Sequence, residues 1–422
     1  MLDRTAAPEF HIPTRTDLKH VTSSTLRNGI QFHELVLGDQ EVCRIELVLQ
    51  SGSWLEEKEG VSYFTTKMLL EGTEKLSGRQ IADKLDYYGA YWEVTSGMDF
   101  VTLTVYSLTK YLQEVVPFFL SVVVDASFPE KELETLKKVR IQQIRVNKQK
   151  TSALASSGLR HLLFGRNHPY GKELSEEEVG KVTSADLKEY HKNRLLRRAE
   201  VFVSGKLSGE ELSKLKGFFE DFPSRAVSLP NYPVVTAPAV REILPVDESV
   251  QASLRLGKMA HDKHHPDHYH LMLLNEVFGG YFGSRLMKNI REDKGYTYGI
   301  YSSLSYLQHA AFWVVGTDVK REVAIASIDE ILKEMKRLRT EPIPFEELET
   351  VKNYMIGTFL SSISTSFSLM DKFRSIHFAG LDYEHYNRLL TSIRTATSED
   401  LLRVANDSFK EEDWLQVVAG GI

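Results

Sequence analysis

The chain has 422 residues, of which 42% are hydrophobic and 26% charged, as in a globular protein of two or three domains. A net charge of −6 argues against nucleic acid or anionic lipid as a partner, and the one cysteine, Cys43, excludes a disulfide framework or a multi-cysteine metal site. No apolar run approaches the roughly 18 residues of a membrane-spanning helix. The N-terminal segment MLDRTAAPEFHIPTRT lacks the apolar stretch of a secretory signal, so we expect a cytoplasmic protein without a membrane partner.

In chain order, strands are mixed with helices in both halves of the sequence. Asn28-Gly29 predicts a hairpin turn. Apolar or alternating runs predict strands at residues 44–52, 101–108, 199–205, 253–257, 299–306 and 414–421. Apolar residues recur at spacings of three and four from Ala324 to Leu338, which predicts an amphipathic helix. The mixture favours an α+β fold.

Two short phrases recur at nearly the same offset. The phrase ELET occurs at 132–135 and at 347–350, and TSADL at 183–187 is repeated as TSEDL at 397–401. Two chance matches at one offset are improbable, so we infer a tandem duplication of about 214 residues. Each of the second pair begins with T-x-x-D, a helix-start signal related to the capping box.

Proline marks the point where the two halves meet. Five of the 13 prolines fall within residues 223–245, a stretch without helical periodicity. The sequence therefore predicts an N-terminal domain over 1–222, a linker over 223–245 and a C-terminal domain over 246–422.

The segment GVSYFTTKMLLEGT at 60–73 resembles the zinc-binding helix of the pitrilysin/insulinase-type (M16) metallopeptidases and the mitochondrial processing peptidases. That pattern is roughly G-x-x-H-F-x-E-H-M-x-F-x-G-T, and the chain shares with it Gly60, Phe64, Met68, Gly72 and Thr73. The resemblance extends over essentially the whole chain. It implies two homologous α/β-roll domains of the processing-peptidase type.

In that family two histidines four residues apart and a distal glutamate bind zinc, while the glutamate between the histidines is the general base. Here Tyr63 and Lys67 stand at the histidine positions, Thr66 at the base and Gln143 at the distal glutamate. A lysine ammonium repels a dication, and a phenol or an amide does not compensate for this. We therefore expect no metal in this half and no hydrolysis by the chain alone.

The C-terminal half resembles another part of the same machinery. Residues 277–303 follow the family pattern L-G-G-x-x-x-S-R-L-x-x-x-L-R-E-x-x-G-x-x-Y. The shared positions are Gly279, Gly280, Ser284, Arg285, Leu286, Arg291, Glu292, Gly295 and Tyr298. The resemblance implies that Arg291 donates to a substrate carbonyl and that Tyr298 donates to the oxyanion formed on water attack. An ordinary salt-bridging arginine and a half-buried strand tyrosine are the structural alternative.

The resemblance thus predicts the non-zinc subunit of a heterodimeric peptidase. Its partners would be a homologous subunit with an H-x-x-E-H motif, which holds the zinc, and a peptide substrate; this chain itself would hold no cofactor. Two alternatives are a catalytically inactive scaffold homologue and a homodimeric peptide-binding module. The histidine-rich tract at 261–270 contains Pro266 and is expected to be a loop before a helix, without a ligand role.

Overall fold

A computed structural model describes residues 17–224, 228–247 and 249–421. Within them the strands are β1 (Thr22–Thr25), β2 (Gln31–Val36), β3 (Val42–Leu49), β4 (Tyr91–Ser96), β5 (Val101–Leu108), β6 (Ala199–Gly205), β7 (Arg241–Leu244), β8 (Gln251–Met259), β9 (Thr297–Tyr306), β10 (Ala311–Lys320) and β11 (Leu415–Ala419). The helices are α1 (Val61–Met68), α2 (Gly78–Tyr88), α3 (Leu112–Val124), α4 (Glu130–Gln149), α5 (Thr151–Phe164), α6 (Glu176–Lys181), α7 (Ser184–Tyr190), α8 (Gly209–Glu220), α9 (His268–Asn275), α10 (Ala324–Thr340), α11 (Phe345–Ser361), α12 (Ser366–His377), α13 (Glu384–Thr395) and α14 (Ser398–Ser408).

The strands form two sheets with the same internal order. The first sheet runs β1-β2-β6-β3-β5-β4, and the second runs β7-β11-β8-β10-β9. Without β1, the two orders match strand for strand, and β2 and β7 each pair in parallel with the last strand of their half. The α+β fold and the duplication expected from the sequence are therefore confirmed.

Local sequence signals account for several of these elements. The predicted hairpin turn joins β1 to β2, with Gly29 at a φ of 87°, a value that favours glycine. The repeated T-x-x-D phrases start α7 and α14. In both, the threonine and the aspartate three residues later form a reciprocal capping box. The apolar stripe of α10 is buried as expected.

The proline-rich segment contains both irregular chain and regular structure. Residues 228–240 form neither helix nor strand, and they lie against the first half, where Trp54 Nε1 donates to Pro230 O at 3.0 Å. Arg241–Leu244, however, is β7, the counterpart of β2. The second sheet thus begins inside the segment expected to be a linker, because these residues find an open edge of β11.

Each sheet is covered on one face by a helix from the other half. α12 of the second half packs against β6 and β2, while α5 of the first half packs against β8 and β11. Many of the buried side chains at these contacts are apolar, as in the cluster that joins Leu35 and Phe202 to Met370 and Ile376. Each half keeps an apolar core of its own, and the reciprocal exchange adds two further apolar clusters that the halves share. Among the described residues, no helix is long and apolar enough to cross a membrane.

Candidate functional site

Helix α1 carries the three positions where the family pattern places zinc chemistry. Gly60 precedes the helix at a φ of 84°, and Phe64 and Met68 anchor its inner face in the core. Thr66 is buried, and its hydroxyl donates to Ser62 O at 2.7 Å, so it is committed to the helix backbone. Lys67 is exposed.

The side chain of Arg140 contacts both of the remaining positions, Tyr63 and Gln143. The Arg140 guanidinium of α4 lies 4.6 Å from the centre of the Tyr63 ring, and its Nη1 donates to Gln143 Oε1 at 3.4 Å. Gln143 itself is exposed. The four positions thus provide a phenol, an alkyl hydroxyl, an ammonium and an amide, with an arginine among them. This donor set does not fit Zn²⁺.

A cavity of about 430 Å³ lies beside α1. Its charged lining consists of three cations and two carboxylates, namely Arg140, Arg160, Lys172, Glu56 and Glu59. Burial raises the pKa of the Glu56 carboxyl to about 7, even though the backbone N–H of Ser62 donates to it at 3.3 Å. The space beside the former metal position is therefore more basic than acidic.

A π-helix and a β-bulge bring Arg291 and Tyr298 together. Arg291 lies in the last turn of Met287–Asp293, and the chain then reverses at Gly295, whose φ is 65°. Between Thr297 and Ile300, two residues of β9 face the single residue Asp318 of β10. This bulge interrupts the strand alternation at Tyr298.

Hydroxyl groups hold the bulge in place. Thr297 Oγ1 accepts from Gly299 N at 3.1 Å and donates to Asp318 O at 2.8 Å, while Thr317 Oγ1 donates to Gly299 O at 3.0 Å. Tyr298 is consequently turned outward and is 91% exposed. β9 is an edge strand, so this tyrosine lies at an open edge of the second sheet.

The guanidinium of Arg291 lies among aromatic rings. It is 4.5 Å from the centre of the Phe282 ring and 5.4 Å from that of Tyr298, and Phe282 is itself 64% exposed. Within residues 17–224, 228–247 and 249–421, Arg291 forms no ion pair with a carboxylate. Its hydrogen-bonding groups are thus available to a ligand or a second chain.

The predicted site residues fall on two separate surfaces. The structure brings Arg291 next to Tyr298, and Tyr63 next to the Arg140–Gln143 pair. The cavity beside α1 is lined by first-half residues alone, so Arg291 and Tyr298 do not contribute to it.

Two family models match the chain. Residues 37–178 match the family model described as insulinase (peptidase family M16), and residues 181–355 match the model described as peptidase M16 inactive domain. The chain belongs to peptidase family M16.

Curated M16 relatives cover almost the full length of the chain. One, called uncharacterized zinc protease YmxG, from Bacillus subtilis, is 26% identical, and the match covers 94% of this chain and 97% of the relative. Another, called non-peptidase homolog YmxG, from Helicobacter pylori, is 24% identical, and the match covers 85% of this chain and 84% of the relative. A solved M16 inactive domain from Pseudomonas fluorescens has a TM-score of 0.85 at 21% identity, covers 96% of this chain and 99% of its own, and supports the fold.

Together with the side chains of α1, these matches identify the chain as an inactive M16 homologue. The buried thiol of Cys43 is no substitute nucleophile, because burial raises its pKa to about 12. Residues 261–267 of the histidine-rich tract form a loop, as expected, whereas residues 268–270 already belong to α9; in the loop, His264 Nε2 bonds to Ala379 O at 2.8 Å.

One cluster of metal-capable side chains was not found from the sequence. His33 of β2, Glu200 of β6 and His377 of α12 place one donor atom each within 4.8 Å of the others. Burial opposes ionisation of Glu200, but hydrogen bonds from both imidazoles outweigh it and lower the pKa of this carboxyl to about 2. The three residues are far apart in the sequence and share no motif, so no local signal identifies them.

Proposed function

We propose that this chain is the non-zinc subunit of a heterodimeric M16 metallopeptidase. A homologous partner with an H-x-x-E-H helix would hold the zinc and the general base, and this chain would contribute Arg291 and Tyr298. The observation that carries the proposal is the exposed, preassembled Arg291–Tyr298 pair in a chain whose own α1 does not fit zinc. A cytoplasmic location stays a prediction.

The two side chains suit complementary tasks on an extended peptide. The guanidinium of Arg291 can donate to a substrate carbonyl and orient it, because no carboxylate of the described chain competes for its N–H groups. The Tyr298 hydroxyl can donate to the oxygen on which negative charge develops when water attacks the peptide carbon. The partner's zinc would supply the activated water. The open edge of β9 adds backbone groups that can align the peptide.

The test is reconstitution with zinc-motif homologues from the same cell. Neither chain alone should cleave a quenched fluorescent peptide, and the pair should do so. In the complex, Arg291→Ala or Tyr298→Phe should lower kcat/KM by about 10²–10³-fold, the usual effect of losing one preorganised donor. Matched controls are Arg79→Ala and Tyr87→Phe, because these side chains are 91% and 81% exposed but lie on α2.

Two results would contradict the proposal. The first is a reconstituted complex in which both Arg291→Ala and Tyr298→Phe retain full activity while still binding the partner. The second is a chain that copurifies with a zinc-motif homologue yet adds nothing to its activity.

The second result would favour the scaffold alternative, which one observation supports. The Arg291 guanidinium already lies between the Phe282 and Tyr298 rings, and this contact alone accounts for the position of the pair. A scaffold would retain partner binding in every variant and affect assembly only.

A further inference from the structure

A cluster of two histidines and a glutamate lies where α12 of the second half meets the first sheet. There Glu200 Oε2 lies 2.6 Å from His377 Nε2 and 3.3 Å from His33 Nε2. The side chains of His33, Glu200 and His377 are 2%, 15% and 30% exposed. Two imidazoles and one carboxylate therefore converge at a largely enclosed point between the halves.

Sheet register explains why two of these side chains meet. β2 and β6 are parallel neighbours, with His33 opposite Phe202. Glu200 precedes Phe202 by two residues, so His33, Phe202 and Glu200 point from the same face of the sheet. α12 covers that face, and its last residue is His377.

We propose that His33, Glu200 and His377 form a binding site for a divalent transition-metal ion of the Zn²⁺ type, which fastens α12 to the first sheet. Two histidines and a glutamate are a recurring zinc ligand set. Bonds of 2.0–2.1 Å in a tetrahedron put donor atoms about 3.3 Å apart, which is the spacing of His33 Nε2 from Glu200 Oε2, whereas His377 Nε2 at 2.6 Å must move away from that oxygen by about 0.7 Å. All three donor atoms lie within 4.8 Å of one another, so side-chain adjustment has to bring the two imidazoles to the same spacing. The fourth position is left to water.

The surroundings of the cluster resemble the outer shell of a metal site. Ser23 Oγ lies 2.7 Å from His33 Nδ1 and fixes the orientation of that ring, while Gln50 Nε2 donates to Glu200 Oε1 at 3.2 Å. The rings of Phe202 and Phe373 lie 4.6 Å and 5.1 Å from that of His33 and limit access of water. A metal bound at Nε2 requires the ring proton to be on Nδ1, where that of His33 can be donated to Ser23 Oγ.

The test uses the full chain, stripped with a chelator and then titrated with Zn²⁺ or Co²⁺. Wild type should bind one ion per chain, and X-ray absorption should give nitrogen and oxygen donors only. His377→Ala should abolish this binding, and Ser23→Ala should weaken it by about 10–100-fold. His264→Ala, in the histidine-rich loop, is the control and should bind as wild type does.

A wild-type chain that binds neither metal would overturn the proposal, as would His377→Ala binding that equals wild type. The first outcome needs no variant, so a folding defect does not obscure it. The cluster lies on β2, β6 and α12, whereas the Arg291–Tyr298 pair lies at the edge of the second sheet, so Arg291→Ala should bind metal normally. Absence of metal binding therefore does not affect the proposed peptidase role, and absence of peptidase activity in the complex does not affect the proposed metal site.

Discussion

Replacing Arg44 with methionine should destabilise the folded chain, because this arginine joins the two halves through buried charges. Arg44 lies on β3 and is 7% exposed, and its guanidinium bonds to both oxygens of Asp371 at 2.8 and 3.2 Å. It also lies 2.9 Å from Glu46 Oε2 and donates to Phe367 O at 2.9 Å. Glu46 is only 4% exposed and retains one further cation, Arg374, at 2.5 Å.

The expected loss follows from the charge that remains. Burial raises the pKa of Glu46, and the positive charges of Arg44 and Arg374 oppose that effect. Removing one partner of a buried ion pair typically costs about 3–5 kcal/mol, and because Glu46 keeps Arg374 as a partner we expect the lower end of that range, about 3 kcal/mol. The double variant Arg44→Met/Glu46→Met removes both buried charges and leaves Arg374 and Asp371 to pair with each other, so it should recover most of the loss.

The assay is urea unfolding followed by tryptophan fluorescence and far-UV circular dichroism. Arg44→Met should lower the free energy of unfolding by the stated amount, whereas Arg79→Ala, at an exposed pair with a 4.0 Å separation, should stay within about 0.5 kcal/mol of wild type. A loss below about 1 kcal/mol for Arg44→Met, or a double variant as unstable as the single one, would contradict the role given to this buried ion pair.

Three further predictions concern stability. Burial raises the pKa of Glu56 from 4.5 to about 7, so its protonation contributes fully to the free energy of unfolding below pH 4.5, and this contribution is lost as the pH rises through 7. Glu56→Gln should remove up to about 3 kcal/mol of this pH dependence, measured as the free energy of unfolding at a series of pH values, and an unchanged dependence on pH would contradict the prediction. Burial lowers the pKa of His268 and of His385 to about 4, so these neutral imidazoles contribute fully to the free energy of unfolding above pH 6.5, and the contribution is lost as the pH falls towards 4. In His385→Gln the free energy of unfolding should fall less steeply with pH between 6.5 and 4, and the same slope as in wild type would contradict the prediction. Gly279→Ala should cost about 1–3 kcal/mol, because its Cβ would lie 2.7 Å from Ser302 Cβ. The open helical site Gly217→Ala should instead be neutral or stabilising, and equal effects at both sites would refute the packing argument.

Much of the fold follows from local patterns in the sequence. Residues 101–108 and 199–205 are strands over their predicted length, because alternating or continuous apolar runs suit a sheet that is covered by helices. The apolar spacing from Ala324 predicted α10, and the T-x-x-D phrases predicted the starts of α7 and α14. β7 was not predicted, because a four-residue edge strand next to prolines has no periodicity to reveal it.

The sequence also identified the replaced zinc-site positions on α1 and the Arg291–Tyr298 pair of the second half. It did not reveal that Arg140 lies over Tyr63, since that contact depends on how α4 packs against α1. It likewise gave no indication that a bulge at Thr297 turns Tyr298 outward, because the register depends on both paired strands, β9 and β10, and not on the sequence of one of them.

The sequence by itself determined the α+β class, the duplication and the loss of zinc chemistry from α1, since these depend on residue type, short-range spacing and repetition. Only the tertiary structure decided that each half covers the other's sheet and that His33, Glu200 and His377 meet between them. The physical reason is that contacts between residues far apart in the chain depend on packing and sheet register, which no local pattern specifies.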